Sequence, residues 1–263
     1  MDLGLTDRVV LISGGYRGTG AGTARVLARE GARVAVHGFD DGQADGVVGD
    51  ILAAGGQAMG VHGSLDADAD VDVVVGAVED RWGPVAVLVN NYGGPGRTDW
   101  TTPADEWTEG WNRNVLTAVR LTQRVVPAMR AAGWGRVIVL GTVGTERPGE
   151  RNPDYYGAKG ALPVLIRSLA KDLRGSGVTA NLVSPGMIAT DEVRSGIERR
   201  AAAEGIEGWE AAARWALRTT MPNLTERIPD PEDVGRMVAF VASEAAWHLT
   251  GSDLKVDGGA LDA

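Results

Sequence analysis

The 263-residue sequence contains no cysteine, only three histidines and only two phenylalanines. Without cysteine the chain forms no disulfide and no thiolate metal site, which fits a reducing, cytoplasmic compartment. The histidines, His37, His62 and His248, show no ligand spacing, so we expect no bound metal. No apolar run approaches the ~20 residues of a membrane span, and the first residues carry no basic and apolar leader, so we expect neither a membrane segment nor a signal peptide.

Positive charge is also scarce. The chain has 26 basic and 35 acidic residues, a formal net charge of -9 and an isoelectric point near 4.9. This balance offers no electrostatic attraction for nucleic acid or for an anionic membrane surface. We therefore expect neither nucleic acid nor a membrane as a partner.

Apolar strand signals alternate with helical patterns along the whole chain. The predicted strands are 9–12, 34–36, 57–61, 85–89, 137–140, 178–183 and 252–256. Strands this uniformly apolar are buried on both faces, as in a parallel sheet covered by helices. The pattern predicts a doubly wound α/β fold, a three-layer αβα sandwich in one domain. A helical stretch at about 188–222 is long enough to form a lid over a pocket.

A glycine-rich turn, Ser13 to Gly20, directly follows the first strand and opens the first helix. Its glycines allow a tight turn and a close backbone approach, and the helix start offers unpaired N–H groups to a pyrophosphate. The spacing is Gly-x-x-x-Gly-x-Gly rather than the commoner Gly-x-Gly-x-x-Gly. At the first strand-to-helix junction of an α/β pattern, it predicts a dinucleotide site.

The end of the second strand ordinarily separates NAD from NADP. An acid there binds the ribose 2′-hydroxyl, and a base accepts the 2′-phosphate. His37, Gly38 and Phe39 provide neither. Arg17 in the glycine turn offers a guanidinium to a phosphate, so NADP is favoured and NAD stays open.

Tyr155 and Lys159 stand one helical turn apart, on one face of a predicted helix. A nearby ammonium favours the phenolate and lowers the pKa of the tyrosine. The pair is then able to exchange a proton with a carbonyl or an alcohol. Alone this spacing is common on solvated helices.

A preceding long helix begins near Thr102 and Pro103, a pair typical of N-cap and N1 positions. Its apolar stripe comprises Trp107, Trp111, Ala118 and Leu121, and Asn114 falls on the same stripe. A polar amide facing a core must find partners. Asn114 is thus either a structural bridge or part of the site.

These motifs together resemble the short-chain dehydrogenase/reductase family over nearly the full chain, and most closely its 3-oxoacyl-(acyl carrier protein) reductase-like branch. The motifs are the Ser13-to-Gly20 turn, Asn90-Asn91-x-Gly93, Asn114, Thr142 with Tyr155 and Lys159, Pro185-Gly186, and Asp257-Gly258-Gly259. The resemblance implies a Rossmann-type sheet of seven parallel strands, a homotetramer or dimer, and NADP or NAD as cofactor.

The resemblance also implies roles for individual residues. Tyr155 is the proton donor, Lys159 binds the nicotinamide ribose and lowers the tyrosine pKa, and Asn114 helps to hold a water. Thr190 contacts the nicotinamide carboxamide. The implied cofactor-binding residues are Ser13, Gly14, Tyr16, Arg17, Gly18, Thr19, Gly20, Phe39, Ser64, Leu65, Asn90, Gly93, Tyr155, Lys159, Pro185, Gly186, Ile188 and Thr190.

Several positions depart from the family pattern. Thr142 replaces the catalytic serine and keeps its hydroxyl, with an added methyl beside the substrate. Tyr92 replaces a small residue, and Ser64 stands where an adenine-binding aspartate is common. We expect a carbonyl reductase or alcohol dehydrogenase. The alternatives are a non-catalytic nicotinamide-binding regulator and an epimerase or dehydratase that retains its cofactor.

Overall fold

The computed structural model describes residues 2–261 and contains a seven-stranded sheet in the order β3-β2-β1-β4-β5-β6-β7. All six strand pairings are parallel. The strands are β1 Val9–Ile12, β2 Arg33–Gly38, β3 Gln57–His62, β4 Val87–Asn90, β5 Gly135–Leu140, β6 Val178–Pro185 and β7 Asp253–Val256. The predicted doubly wound parallel sheet is confirmed.

Helices cover both faces of the sheet. They are α1 Gly18–Arg29, α2 Asp45–Ala53, α3 Asp68–Trp82, α4 Ala104–Trp111, α5 Thr117–Ala132, α6 Pro153–Asp172, α7 Asp191–Ala203, α8 Trp209–Thr219 and α9 Pro231–Ala242. A π-helical segment, Asn112–Leu116, joins α4 to α5. Helices α7 and α8 occupy the predicted lid region and share a small apolar core of their own around Ile197 and Ala212.

The uniform apolarity of the strands follows from this layering. Successive side chains of a strand face opposite sides of the sheet. Val10 and Ile12 of β1 join the core beneath α1 and α9, whereas Val9 and Leu11 join the core beneath α3, α5 and α6. Because both faces of β1 are buried, neither set of its alternate positions is polar.

Three details of the long helix differ from the sequence-based expectation. Pro103 is the N-cap residue and α4 begins one position later, at Ala104. The π-helical segment adds a residue to one turn, which breaks the 3.6-residue periodicity on which the predicted stripe was based. Trp111 consequently lies 41% exposed, while Ala118 and Leu121 are buried as expected.

The strand order reverses between β1 and β4, and their carboxyl ends border a crevice. Open α/β sheets bind ligands at such a point, outside the carboxyl ends of the strands. The turn after β1, the segment after β4 and the start of α6 all lie at this edge. Within residues 2–261 no helix is both long enough and apolar enough to cross a membrane.

Candidate active site

The turn between β1 and α1 forms an anion-binding cradle. Gly14 and Gly18 have φ values of +61° and +53°, a region that favours glycine. A Cβ at Gly20 would lie 2.6 Å from the carbonyl oxygen of Gly14, so no larger residue fits there. Among the described residues no side chain caps α1 and no acid lies in its first turn. Its N–H groups and helix dipole therefore suit a pyrophosphate.

An asparagine outside the predicted contact set holds this cradle in place. The Nδ2 of Asn91 donates to the carbonyl oxygens of Ser13 and Gly14, at 3.0 and 2.9 Å. The Ser13 hydroxyl oxygen in turn accepts from the backbone N–H groups of Asn91 and Tyr92. The predicted Asn90 is 2% exposed, and its side chain donates to Thr122 inside the fold. Asn91 follows Asn90 directly in the Asn90-Asn91-x-Gly93 motif, and this motif was the sequence signal that could have identified it.

The far end of the crevice is aromatic. Phe39, after β2, packs against Tyr92, after β4, with ring centroids 4.6 Å apart. Leu65 is buried, and the Ser64 hydroxyl oxygen accepts from the Asp66 N–H and closes a short turn after β3. These four positions follow the carboxyl ends of β2, β3 and β4.

The proposed proton donor and its hydroxyl partner face each other at the end of β5. The Thr142 oxygen accepts from the Gly144 N–H at 3.1 Å, which orients the hydroxyl hydrogen away from that turn. Burial raises the pKa of Tyr155, and a hydrogen bond with Thr142 acts in the opposite direction. The sequence-based expectation of a pKa lowered by lysine is therefore not met within the protein alone, because desolvation of the phenolate outweighs the favourable contacts.

Lys159, one helical turn beyond Tyr155 on α6, is buried. Its Nζ donates to the carbonyl oxygen of Leu140, the last residue of β5, at 2.7 Å. Burial lowers the pKa of Lys159 to about 8. A Cβ on Gly93 would lie 3.1 Å from this Nζ, so the segment after β4 passes directly over the ammonium.

The Asn114 side chain forms a structural bridge, which is one of the two alternatives that its sequence position left open. Its Oδ1 accepts from the Gly94 N–H at 2.8 Å, and its Nδ2 donates to the Gly110 carbonyl at 2.9 Å. The residue lies on the π-helical segment and is buried. It bridges α4 to the segment beside Lys159, and π-helical turns frequently mark functional sites.

The segment after β6 brings the start of α7 to the glycine turn. Gly186 pairs its N–H with the Val256 carbonyl, Ile188 is buried, and the Thr190 hydroxyl caps α7. A Cβ on Gly18 would lie 3.4 Å from Thr190. Arg17 pairs with Glu192 of α7. A cavity of about 450 Å³ lies here, lined in part by Tyr16, Arg17, Gly18 and Thr190.

A larger cavity, of about 740 Å³, lies at the opposite edge of the sheet, between Trp134 and Trp247. None of the candidate site residues lines it, and it opens at the amino ends of β5 and β6. The chemistry is therefore assigned to the carboxyl edge. Within residues 2–261 no group of three or more His, Asp or Glu side chains is placed to hold a metal ion.

Two buried polar residues near the site carried no sequence signal. His37 is completely buried at the end of β2. Asp154, next to Tyr155, accepts a hydrogen bond from the Thr98 hydroxyl, and its Oδ2 lies against Gly110 of α4. Neither belongs to a recognisable spacing, because each contacts residues that are distant in sequence.

Comparison with known proteins identifies the family of the chain. A family model described as enoyl-(acyl carrier protein) reductase matches residues 14–260. The chain is 31% identical to D-beta-hydroxybutyrate dehydrogenase of Cupriavidus necator, covering 97% of this chain and 98% of that protein. It is 33% identical to the 3-oxoacyl-[acyl-carrier-protein] reductase MabA of Mycobacterium avium, covering 96% and 89%.

Solved structures share the fold. L-sorbose reductase from Gluconobacter frateurii, complexed with NADPH and L-sorbose, superposes with a TM-score of 0.91 at 27% identity, covering all of both chains. These relatives are dehydrogenases and reductases, which does not favour a non-catalytic regulator or an epimerase. The chain belongs to the short-chain dehydrogenase/reductase family, in its 3-oxoacyl-(acyl carrier protein) reductase-like branch, and is a nicotinamide-dependent oxidoreductase that transfers hydride between NAD(P) and a carbonyl or secondary alcohol.

Proposed function

We propose that Tyr155 is the proton donor of this carbonyl reductase and that Thr142 and Lys159 support it. The observation that carries the proposal is the hydrogen bond between Tyr155 and Thr142, next to the Lys159 Nζ bound at the carboxyl end of β5. A bound nicotinamide supplies or accepts the hydride. Tyr155 gives its hydroxyl proton to the substrate oxygen, while the Thr142 hydroxyl donates a hydrogen bond to the same atom.

Lys159 and Asn114 act behind this pair. Lys159 places a buried ammonium where the nicotinamide ribose is expected, and its charge favours the tyrosinate when the proton has left. Asn114 holds Gly94 and thereby the segment that passes over Lys159. Its backbone position in a π-helical turn also suits a water-held proton path.

The Tyr155→Phe substitution tests the proton donor. We expect kcat to fall by two to four orders of magnitude, the usual contribution of a positioned acid or base, with cofactor affinity retained. The matched control is Tyr156→Phe, which removes the same kind of hydroxyl from the neighbouring residue. The two tyrosine rings pack against each other, with centroids 5.3 Å apart. Near-native turnover by Tyr155→Phe on a panel of ketones would refute the assignment.

We propose NADP as the preferred cofactor, bound by the predicted set of loop residues. No carboxylate occupies positions 38 and 39, and Arg17 lies at the start of α1. The pair of Arg17 with Glu192 is mostly exposed on both sides, at 64% and 71%. An exposed pair is worth little, so the guanidinium is available to a 2′-phosphate. Arg17→Ala should raise KM for NADPH but leave KM for NADH unchanged.

We propose a single domain in which α7 and α8 close over the substrate. The two helices pack on each other through Ile197, Ala201, Ala212 and Ala216. They connect to the sheet beside Thr190, which borders the cradle. A proteolysis time course should show protection of this segment by cofactor together with substrate. A cytoplasmic location also stays a prediction, based on the cysteine-free sequence.

We propose a homo-oligomer, with α5 and α6 forming one contact between copies. Val164 and Leu165 on α6 are 60% and 39% exposed, and an apolar groove of about 350 Å³ lies beside them between the two helices. Exposed apolar faces of this kind mark association surfaces. Val164→Asp should shift the sedimentation coefficient towards a smaller species, and an unchanged coefficient would contradict this contact.

A further inference from the structure

The side chain of His37 makes two hydrogen bonds inside the fold, at the end of β2. Its Nδ1 accepts from the Gly14 N–H at 3.2 Å, and its Nε2 faces the Gly63 carbonyl oxygen at 3.0 Å. A carbonyl only accepts and an N–H only donates, so the ring is neutral with its proton on Nε2. The side chain is fully buried, so water replaces neither contact.

These contacts join three strand ends. Gly14 follows β1, His37 lies in β2, and Gly63 follows β3. The main-chain carbonyl of His37 also accepts from the Gly15 N–H at 2.9 Å. One residue therefore fixes the glycine cradle against the turn that leads to Ser64 and Leu65, on the other side of the adenosine crevice.

The ring also supports the aromatic wall. His37 contacts Phe39 edge to face, with centroids 5.0 Å apart, and Phe39 packs on Tyr92. A change in the orientation of the imidazole is thus passed to the segments after both β2 and β4. The cradle, the adenosine wall and the β3 turn share one neutral imidazole as their common support.

We propose that His37 is a positioning residue for the dinucleotide, and that its neutral ring holds the cradle in the shape that binds cofactor. The proposal rests on the dinucleotide site described above. Protonation of Nδ1 would point a second N–H at the Gly14 N–H, and the cradle would have to move. Cofactor binding and proton uptake by His37 therefore oppose each other.

The surroundings of the ring keep it neutral. Burial lowers the pKa of His37 to about 4, opposed by the Gly63 hydrogen bond and assisted by the charge of His62. Of the described residues, His62 on β3 is the titratable group that acts on the ring. The Nδ1 of His62 lies 3.6 Å from the Oδ1 of Asp41. The contacts from the glycine turn, β2 and the β3 turn are backbone groups and the Phe39 ring.

Cofactor affinity tests the positioning role directly. Dissociation constants for NADPH and NADH are measured by nicotinamide fluorescence in the absence of substrate. His37→Leu removes the acceptor of the Gly14 N–H, so the glycine turn is no longer held in its binding shape. We expect the affinity to fall about tenfold, within the range that one buried hydrogen bond supplies. His37→Asn, whose amide oxygen can replace Nδ1, should recover part of the loss. The control is His62→Gln on the exposed end of β3, which should bind as the wild type does.

A proton titration of the wild type separates positioning from general structural support. Histidine-selective NMR follows His37 with and without NADPH. A positioning role requires cofactor to lower the pKa of His37 further, by about one unit for a tenfold coupling. Equal pKa values in both states, or equal affinities of wild type and His37→Leu, would overturn the proposal. Failure of the wild type to bind either dinucleotide would instead overturn the proposed function, and this inference with it.

Discussion

Replacing Lys159 by methionine is expected to stabilise the protein at neutral pH while abolishing its activity. The ammonium is completely buried, and this burial lowers its pKa from 10.5 to about 8. Below pH 8, a pKa shift of this size lowers the free energy of unfolding by about 3 kcal/mol. Methionine fills a similar volume without a charge, but it orphans the Leu140 carbonyl at a cost of about 1 kcal/mol.

The net gain is about 2 kcal/mol, which for a chain of this size raises Tm by about 4–8 °C. The gain should depend on pH in a defined direction. Because the folded protein releases the Lys159 proton near pH 8 and the unfolded chain near 10.5, the wild type becomes more stable as pH rises between these values. The difference in stability between the wild type and Lys159→Met should therefore become smaller towards pH 10.

Differential scanning calorimetry of the cofactor-free protein at pH 7 and pH 10 measures both effects. The control is Lys171→Met, since Lys171 lies exposed on the same helix and its loss should leave Tm nearly unchanged. A lower Tm for Lys159→Met at pH 7 would refute the reasoning. A stabilisation that does not change with pH would refute the part that depends on the buried charge.

Three further predictions concern the site. Thr142→Ser should keep kcat/KM within a few-fold of the wild type, whereas Thr142→Ala should lower it about 10²–10³-fold, as loss of an oxyanion donor does. Equal kcat/KM values for Thr142→Ala and the wild type would show that Thr142 takes no part in the mechanism. Asn114→Ala should lower the free energy of unfolding by about 1–3 kcal/mol, because it leaves the Gly94 N–H unpaired, and denaturation in urea checks this. Gly20→Ala should abolish the increase in nicotinamide fluorescence on cofactor binding, because the added Cβ would collide with the Gly14 carbonyl. The control is Gly157→Ala, whose added Cβ would have no neighbouring atom within 4 Å.

The long helix shows how far periodicity alone reaches. Ala118 and Leu121 were correctly predicted to be buried, because both follow the π-helical segment and share one face. Trp111 precedes that segment and lies at the surface. A single added backbone residue in one turn rotates everything before it, and no residue type in Asn112–Leu116 signals the change.

The amino-acid sequence was sufficient to predict the parallel sheet, the glycine turn and the placement of Tyr155 and Lys159 on one helix. These depend on local patterns, namely apolar runs, glycine spacing and one helical turn, which are visible over a few residues. The packed fold was required to find the direction of the Tyr155 pKa shift, the support that Asn91 gives the glycine turn, and the contacts of the buried His37 side chain. Burial and contacts between distant segments set these properties, and both arise when β1, β2 and β4 lie side by side.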